Sequence, residues 1–382
     1  MLEMKWVDSE SEISPSLWDK CFLSPIEGRW WYSVLENSGL EDQFKFAYGL
    51  LSKDKEPIGI VPIFFNDVPI ELVAPEGIAK VFRLLSKIIP GADYQRTLFV
   101  GSPCTDEGTV GLIPGTTLSE VAEFIHDELI KKAATRKAPM IVWKDFPQTE
   151  QLDLDKLCKN GKAFKMVSYP GTVIYLQEPS MQSYIKGLKS SHRHNLLKKL
   201  KRSKEKFAFD VSIIQNPDEA TIDEIFALFW QTYEHGKTKF ERLNKEFFAL
   251  ISGQRASWYI LLREQNGGKL VAFMLCFLLG KRVINKFIGL DYSIPREANL
   301  YFRLQEAALA WTISQELKEF QSGQTGYRFK IETGHSLVPL FNYCQNRNPL
   351  VNMIYAFLSR SVSWATLDSD LETFLKTHPI EN

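Results

Sequence analysis

This sequence lacks a charge imbalance of either sign: 46 Lys and Arg residues offset 46 Asp and Glu residues over 382 positions. With no whole-chain field, net charge draws in neither nucleic acid nor an anionic membrane, and any electrostatic partner must be met locally. Cysteine is scarce. Cys21, Cys104, Cys158, Cys276 and Cys344 are scattered without a Cys-x-x-Cys spacing, which leaves no disulfide framework or zinc site to read and fits a reducing cytoplasm. Cys344 has no identifiable His with Asp or Asn beside it, so a thiol mechanism is set aside in favour of a buried free cysteine. Long apolar runs are missing as well: the longest, 270–279, is ten residues, about half of the ~20 that a membrane span requires. The amino-terminal stretch carries Asp8, Glu10 and Glu12 and has no basic, then apolar, leader pattern, so no ordinary signal peptide is expected.

What is present is apolar material, 45% hydrophobic and 13% aromatic, enough to bury more than one core, and the length sets an expectation of two domains. A helical pattern runs through Trp18, Cys21, Trp30, Trp31, Val34 and Leu35. Strands over 44–51 and 57–65 follow, joined by the hairpin signal Lys53-Asp54-Lys55-Glu56. Beyond a Pro- and Gly-rich region with Pro90-Gly91 and Gly101-Ser102-Pro103, the segment 117–136 puts Leu118, Val121, Phe124, Ile125, Leu129 and Ile130 on one helical face. Ser119 and Glu120 suit its start. Then 138–146 reads as a strand, 152–159 as a short helix and 166–176 as a strand, an α/β or α+β alternation. The pattern restarts at Glu178-Pro179-Ser180, dividing the chain into 1–178 and 179–382. The second part reads as a long helix over 181–207, a strand over 209–214 and a helix over 218–235. Three strands over 257–263, 269–279 and 282–290 come next, with tight turns at Asn266-Gly267-Gly268 and Gly280-Lys281. A helix over 299–315 and a strand over 319–321 complete it. Polar, ionisable and glycine residues then crowd into 320–335, the kind of loop in which α/β folds often hold their chemistry.

Strand, strand, strand, helix, strand is the order of an acyl-CoA N-acetyltransferase core. The second part resembles the acyltransferase domain of the GNAT superfamily, in the branch of the Fem-type peptidyltransferases and proteins of peptidoglycan biosynthesis or recognition. The basic helix from Ser191-His192-Arg193-His194 to Lys206 is similar to the family's arginine-rich helix. Lys286-Phe287-Ile288-Gly289-Leu290-Asp291-Tyr292, Phe320-Gln321-Ser322-Gly323, Gly326, Lys330-Ile331 and Gly334 match too. In the first part Leu35-Glu36-Asn37-Ser38-Gly39 and Ile58-Gly59-Ile60-Val61-Pro62 stand as in those relatives, so the resemblance covers about 25–357. It implies tandem GNAT-like domains, each a mixed, mostly antiparallel sheet flanked by helices, with a substrate cleft between the halves. It implies N-acyl transfer from acetyl-CoA, another acyl-CoA or acyl carrier protein to a small-molecule amine or amino acid. An aminoacyl-tRNA-dependent Fem-type transfer to a cell-wall precursor or small molecule, and an inactive recognition module, stay open beside it.

The sequence departs from the family twice. GNAT enzymes hold the CoA pyrophosphate on a Gln/Arg-x-x-Gly-x-Gly/Ala loop at a helix amino terminus. Here that place reads Tyr292-Ser293-Ile294-Pro295-Arg296-Glu297-Ala298-Asn299, in which Arg296 would meet a phosphate and Asn299 would cap the helix. Gly323 and Gln324 complete the expected cofactor-binding set. Close relatives also carry Glu-His-Lys where this chain has Tyr327-Arg328-Phe329-Lys330, so only Lys330 carries over.

Aminolysis needs a neutral amine, a stabilised oxyanion and a proton for the leaving group. Glu332 and Asp291 are the expected bases with His335 third, Lys330 would stabilise the oxyanion or a phosphate, and Tyr327 or Tyr301 would protonate a thiolate. Arg193 and Lys198 are expected to meet substrate phosphates, because 186–206 holds seven Lys and two Arg against the single Glu205; Arg328 is expected to join them. The alternatives are structural: Glu332 paired with Arg328 or Lys330, His335 as a capping histidine, and the lysine-rich face simply solvated. No aromatic interleaving suits a single-strand binder, so DNA is not an expected partner, and neither a metal nor membrane insertion is expected.

Overall fold

The computed structural model describes residues 1–23, 27–70, 93–159, 161–236 and 241–377; Pro90-Gly91 lies outside them. Two compact units emerge. The first takes Met1–Glu36, Leu40–Tyr169 and Pro339–Leu367, and the second takes Asn37–Gly39, Pro170–Val338 and Asp368–Asn382. A single cut at 178/179 therefore lies near the crossing at 169/170 but leaves out the return of 339–367 to the first unit.

Eight strands build the first unit's sheet: β1 (Leu2–Val7), β2 (Lys45–Lys53), β3 (Glu56–Pro69), β4 (Tyr94–Val100), β5 (Gly111–Leu112), β6 (Met140–Pro147), β7 (Phe164–Val167) and, from far along the sequence, β15 (Leu340–Asn346). Their order is β1-β2-β3-β4-β6-β15-β7 with β5 beside β3, and only β4 and β6 run parallel. The expected β2–β3 hairpin turns on Asp54 and Lys55, whose φ values of 52° and 73° are the paired positive angles that match strand twist. The helix Leu118–Thr135 starts one residue after Thr117, which forms a capping box with Glu120. It lays Val121, Ile125 and Leu129 against Trp143, Val61 and Leu98.

The second sheet consists of β8 (Gly171–Tyr175), β9 (Phe209–Ile214), β10 (Ser257–Glu264), β11 (Leu270–Leu279), β12 (Arg282–Leu290), β13 (Glu319–Ser322) and β14 (Ser336–Val338), in the order β14-β8-β13-β12-β11-β10-β9. The meander β10-β11-β12 stands where the sequence reading put it. The near-continuous apolar run of β11 fits a strand covered on both faces. Phe287 meets Phe229 of the helix Glu219–His235, whereas Ile288 joins the cluster around Leu304 of the helix Leu300–Ser314. Successive side chains of a strand point to opposite faces, so these two helices sandwich the sheet. No described helix is long and apolar enough to cross a membrane.

Several expectations are corrected. The strand read over 166–176 is two strands in two sheets, β7 and β8, because Pro170 has no N–H for a ladder and marks the crossing between units. The long helix over 181–207 is two, Met181–Gly187 and Ser190–Lys206, interrupted where Leu188 is extended at ψ 151°. The first helical pattern divides into Pro15–Cys21 and Arg29–Asn37. Residues 327–332, expected as part of a loop, form the short helix Tyr327–Glu332.

Candidate functional site

The geometry that sets the site apart lies between β12 and β13. Their parallel pairing runs from Arg282↔Glu319 to Asn285↔Ser322 and stops. β12 continues to Leu290, paired with β11 alone. At the same point Lys286 is the extra residue of a β-bulge, since Phe287 faces Leu275 and Asn285 faces Cys276. A bulge re-aims the strand's groups, so an edge of backbone opens where β13 ends.

Polar side chains gather at this opening. Asn285 donates from Nδ2 to Ser322 Oγ at 3.5 Å and also bonds the Tyr301 hydroxyl. Tyr301 stands at the start of the helix Leu300–Ser314, its ring edge-on to Phe329 at 4.0 Å. Burial pushes its hydroxyl far above the ordinary tyrosine range, with the Asn285 bond acting weakly the other way. The phenol is therefore a proton carrier that stays protonated at neutral pH.

The crowded stretch 320–335 turns out to be a self-bonded wall. His335 is buried. Its Nδ1 lies 3.0 Å from the Lys330 carbonyl, which fixes the proton there, and Nε2 is left to accept from Ser322 Oγ at 3.3 Å. Burial, then the nearby Lys330 charge, lowers its pKa to about 3. The ring is neutral in the working range and a weak base, so the structural reading of His335 prevails over the catalytic one. Lys330 is buried with its amine donating to the Gly323 carbonyl, and Thr172 Oγ1 reaches the same oxygen at 3.4 Å. Tyr327 is fully buried, its hydroxyl anchored on the Pro170 carbonyl at 2.8 Å; that suits a tie between elements, not an acid.

The two carboxylates expected as bases are both held in ion pairs. Glu332 takes Lys199 at 2.8 Å and Arg328 at 3.4 Å. Partial burial raises its pKa, but the Lys199 and Arg328 contacts outweigh this and leave it below the usual range. Lys199 also lies over the Phe302 ring at 4.1 Å. Asp291 is tied to Lys269 at 2.7 Å and to the Ser293 hydroxyl and N–H at 2.6 and 2.9 Å. Burial is again outweighed, and its pKa is lowered. Neither carboxylate is poised to take a proton near pH 7.

The phosphate-binding expectations scatter. Arg193 donates to the Lys186 and Leu188 carbonyls at 3.0 and 3.4 Å, capping the preceding helix end. Lys198 is exposed on the helix Ser190–Lys206, Arg296 is exposed in a single turn, and Gln324 is half-buried. Asn299 sits at the helix start with φ 48° but its side chain makes no cap bond; its amide turns back to the Glu297 carbonyl at 2.8 Å. Among the described residues no group of three or more His, Cys, Asp and Glu is placed to hold a metal.

The family model for FemAB-like proteins, described as peptidoglycan biosynthesis/recognition, matches residues 151–379. The chain belongs to the FemAB-like family. No curated protein matches this FemAB-like sequence. Among solved structures, FemX superposes with a TM-score of 0.58 at 12% identity, covering 90% of this chain and 98% of that one. A tandem GNAT protein from the clavulanic acid biosynthesis pathway gives 0.52 at 9% identity over 91% and 98%. L-PGS from Bacillus licheniformis gives 0.51 at 11% over 86% and 94%. At such identities the likeness is one of fold: a mixed α/β, tandem GNAT-like architecture. Family and fold together support a transferase of acyl or aminoacyl groups.

The acid side of the pH dependence follows from these groups. Between about pH 6.5 and 3 the unfolded protein binds a proton at His335 that the fold refuses, so stability falls as acid is added. The Glu332 pairs are fully present above its unfolded pKa of ~4.3 and are lost as pH falls through the lower folded value. Urea unfolding across pH should show both. Glu332→Gln is expected to flatten the acid end while retaining most activity; loss of activity with the fold intact would restore Glu332 as a base.

Proposed function

We propose that the second unit transfers an acyl group, aminoacyl groups included, from an activated ester or thioester to a primary amine by direct aminolysis. The observation that carries this reading is the parting of β12 from β13 beside Asn285 and Tyr301. An acyl carbonyl in that opening would meet the backbone N–H of Ile288, which by its register turns away from β11, and this donor would stabilise the oxyanion. The amine forms the new C–N bond, and the C–S or C–O bond breaks. Tyr301 gives its proton to the leaving atom and regains one from the attacking nitrogen, so the step balances without a covalent enzyme intermediate. Lys330 and His335 keep the wall in shape.

Acyl-CoA is the first donor in this reading, with a small-molecule amine or amino acid as acceptor. Aminoacyl-tRNA is the second, with a peptidoglycan precursor as acceptor. Two observations favour it: the turn 292–299 has no glycine to cradle a pyrophosphate, and the helix Ser190–Lys206 exposes Lys198, Lys201 and Arg202, which would meet a phosphate backbone. The five free cysteines are in keeping with action in the cytoplasm. Melting curves with acetyl-CoA, longer acyl-CoAs and free CoA, followed by mass spectrometry of products with pooled amines, test the first donor. Stabilisation by a CoA species with a new amide is the expected result. Silence from every CoA species with RNase-sensitive transfer from charged tRNA would change the donor, and no transfer from either would overturn the reading.

A further inference from the structure

A different part of the molecule holds an unexplained surface. From Pro349 to Ser359 the sequence PLVNMIYAFLS contains no Asp, Glu, Lys, Arg or His. It forms a firmly started helix, with Asn348 Oδ1 accepting from the N–H groups of Leu350 and Val351 at 3.0 and 3.3 Å. Leu350, Met353, Ile354 and Phe357 recur at the spacing of one helical stripe, and they are 69%, 64%, 51% and 69% exposed. The rest of the helix packs on β7 and β15. Isolated exposed apolar side chains are ordinary, but a contiguous stripe of four calls for a partner.

The rim of the stripe is basic. Arg347 and Arg360 stand exposed at its two ends. Lys137 and Arg347 line the same depression beside Pro349, where the Arg347 guanidinium donates to the Ala138 carbonyl at 3.5 Å. We propose that the helix Pro349–Ser359 docks the protein on an anionic lipid surface, lying in the interface plane with its apolar stripe among the acyl chains and the arginines at the headgroups. An apolar stripe with cationic flanks is the pattern of an interfacial helix. A second copy of the protein fits less well. A two-fold contact through the stripe would bring arginine ends together with no carboxylate on the helix to offset them. Docking of this kind needs no membrane-crossing helix.

Cosedimentation of the full-length protein with phosphatidylglycerol–phosphatidylcholine vesicles, against phosphatidylcholine alone, tests the proposal. Binding to the anionic vesicles, weakened by salt, is the expected result. Arg347→Gln and Arg360→Gln should each lower the partition about fivefold. Ile354→Ser with Phe357→Ser should abolish binding while leaving the melting transition in place, because both side chains face solvent. The proposal is overturned if the parent protein stays in the supernatant, or if the serine variant binds as well as the parent. It is equally overturned if light scattering finds a dimer that the serine variant dissolves and vesicles capture nothing.

Discussion

Tyr301→Phe is expected to lower kcat by about 10²–10⁴, the usual contribution of one positioned proton carrier, with little change in KM. The substitution keeps the ring and therefore its edge-on contact with Phe329 at 4.0 Å. It removes only the hydroxyl and its bond to Asn285, a loss of ~1 kcal/mol in stability. Because burial holds the phenol protonated well past neutrality, the parent enzyme should show no alkaline fall in rate from this group in the ordinary assay range. Steady-state kinetics beside a melting curve would separate the effects. Full activity in a folded Tyr301→Phe protein would remove Tyr301 from the reaction and leave the leaving group to be protonated by solvent or by the substrate itself.

A still simpler change should cost the second unit much of its stability. Gly289 is on β12, and a Cβ placed there would lie 2.3 Å from Phe273 Cε1 and 2.7 Å from both the carbonyl carbon of Leu228 and the amide nitrogen of Phe229. A flexible side-chain end could move aside, but helix backbone cannot do so without shifting the whole of Glu219–His235. Gly289→Ala is therefore expected to destabilise by ~3 kcal/mol or more. For a unit of this size that is roughly 6–12 °C in melting temperature. It should also depress activity, since β12 forms one side of the proposed site. Gly187→Ala is the control: its Cβ would find Glu178 Oε1 at 3.8 Å and nothing closer, and alanine suits a helix better than glycine. If the two variants melt alike, the close approach of helix and strand at Gly289 is wrong.

The meander is clear in the sequence, because tight turns at Asn266-Gly267-Gly268 and Gly280-Lys281 separate three apolar runs in close succession, the pattern of consecutive hairpins. The segment 166–176 misled for a physical reason. Its flanks, 166–167 and 172–176, are strand-like, and although Pro170-Gly171 signals a break, nothing local says that the polypeptide passes there to another sheet. Within the site, Lys330 and His335 were legible as important but not as buried and internally bonded; ionisable residues in a loop look reactive until their partners are known. Glu332 was open to the plainer reading from the outset, yet its main partner, Lys199, is 133 positions away and invisible to spacing. Asn285 was overlooked. A lone amide inside the apolar strand Arg-Val-Ile-Asn-Lys-Phe was the available signal, since such a residue needs a polar partner once buried. The bulge at Lys286 leaves no mark in the sequence at all.

β15 has a consequence for how the protein is made. It is inserted between β6 and β7, bonded to both, so the first unit's sheet lacks the strand that joins its last edge strand to the rest until residue 346 has left the ribosome. By then nearly all of the second unit has already been synthesised. Vectorial folding, in which an amino-terminal unit finishes before the next begins, is closed to this protein. The second unit can acquire its sheet first, and the nascent first unit must wait with the edges of β6 and β7 open, a period in which a chaperone or a neighbouring polypeptide could occupy the gap.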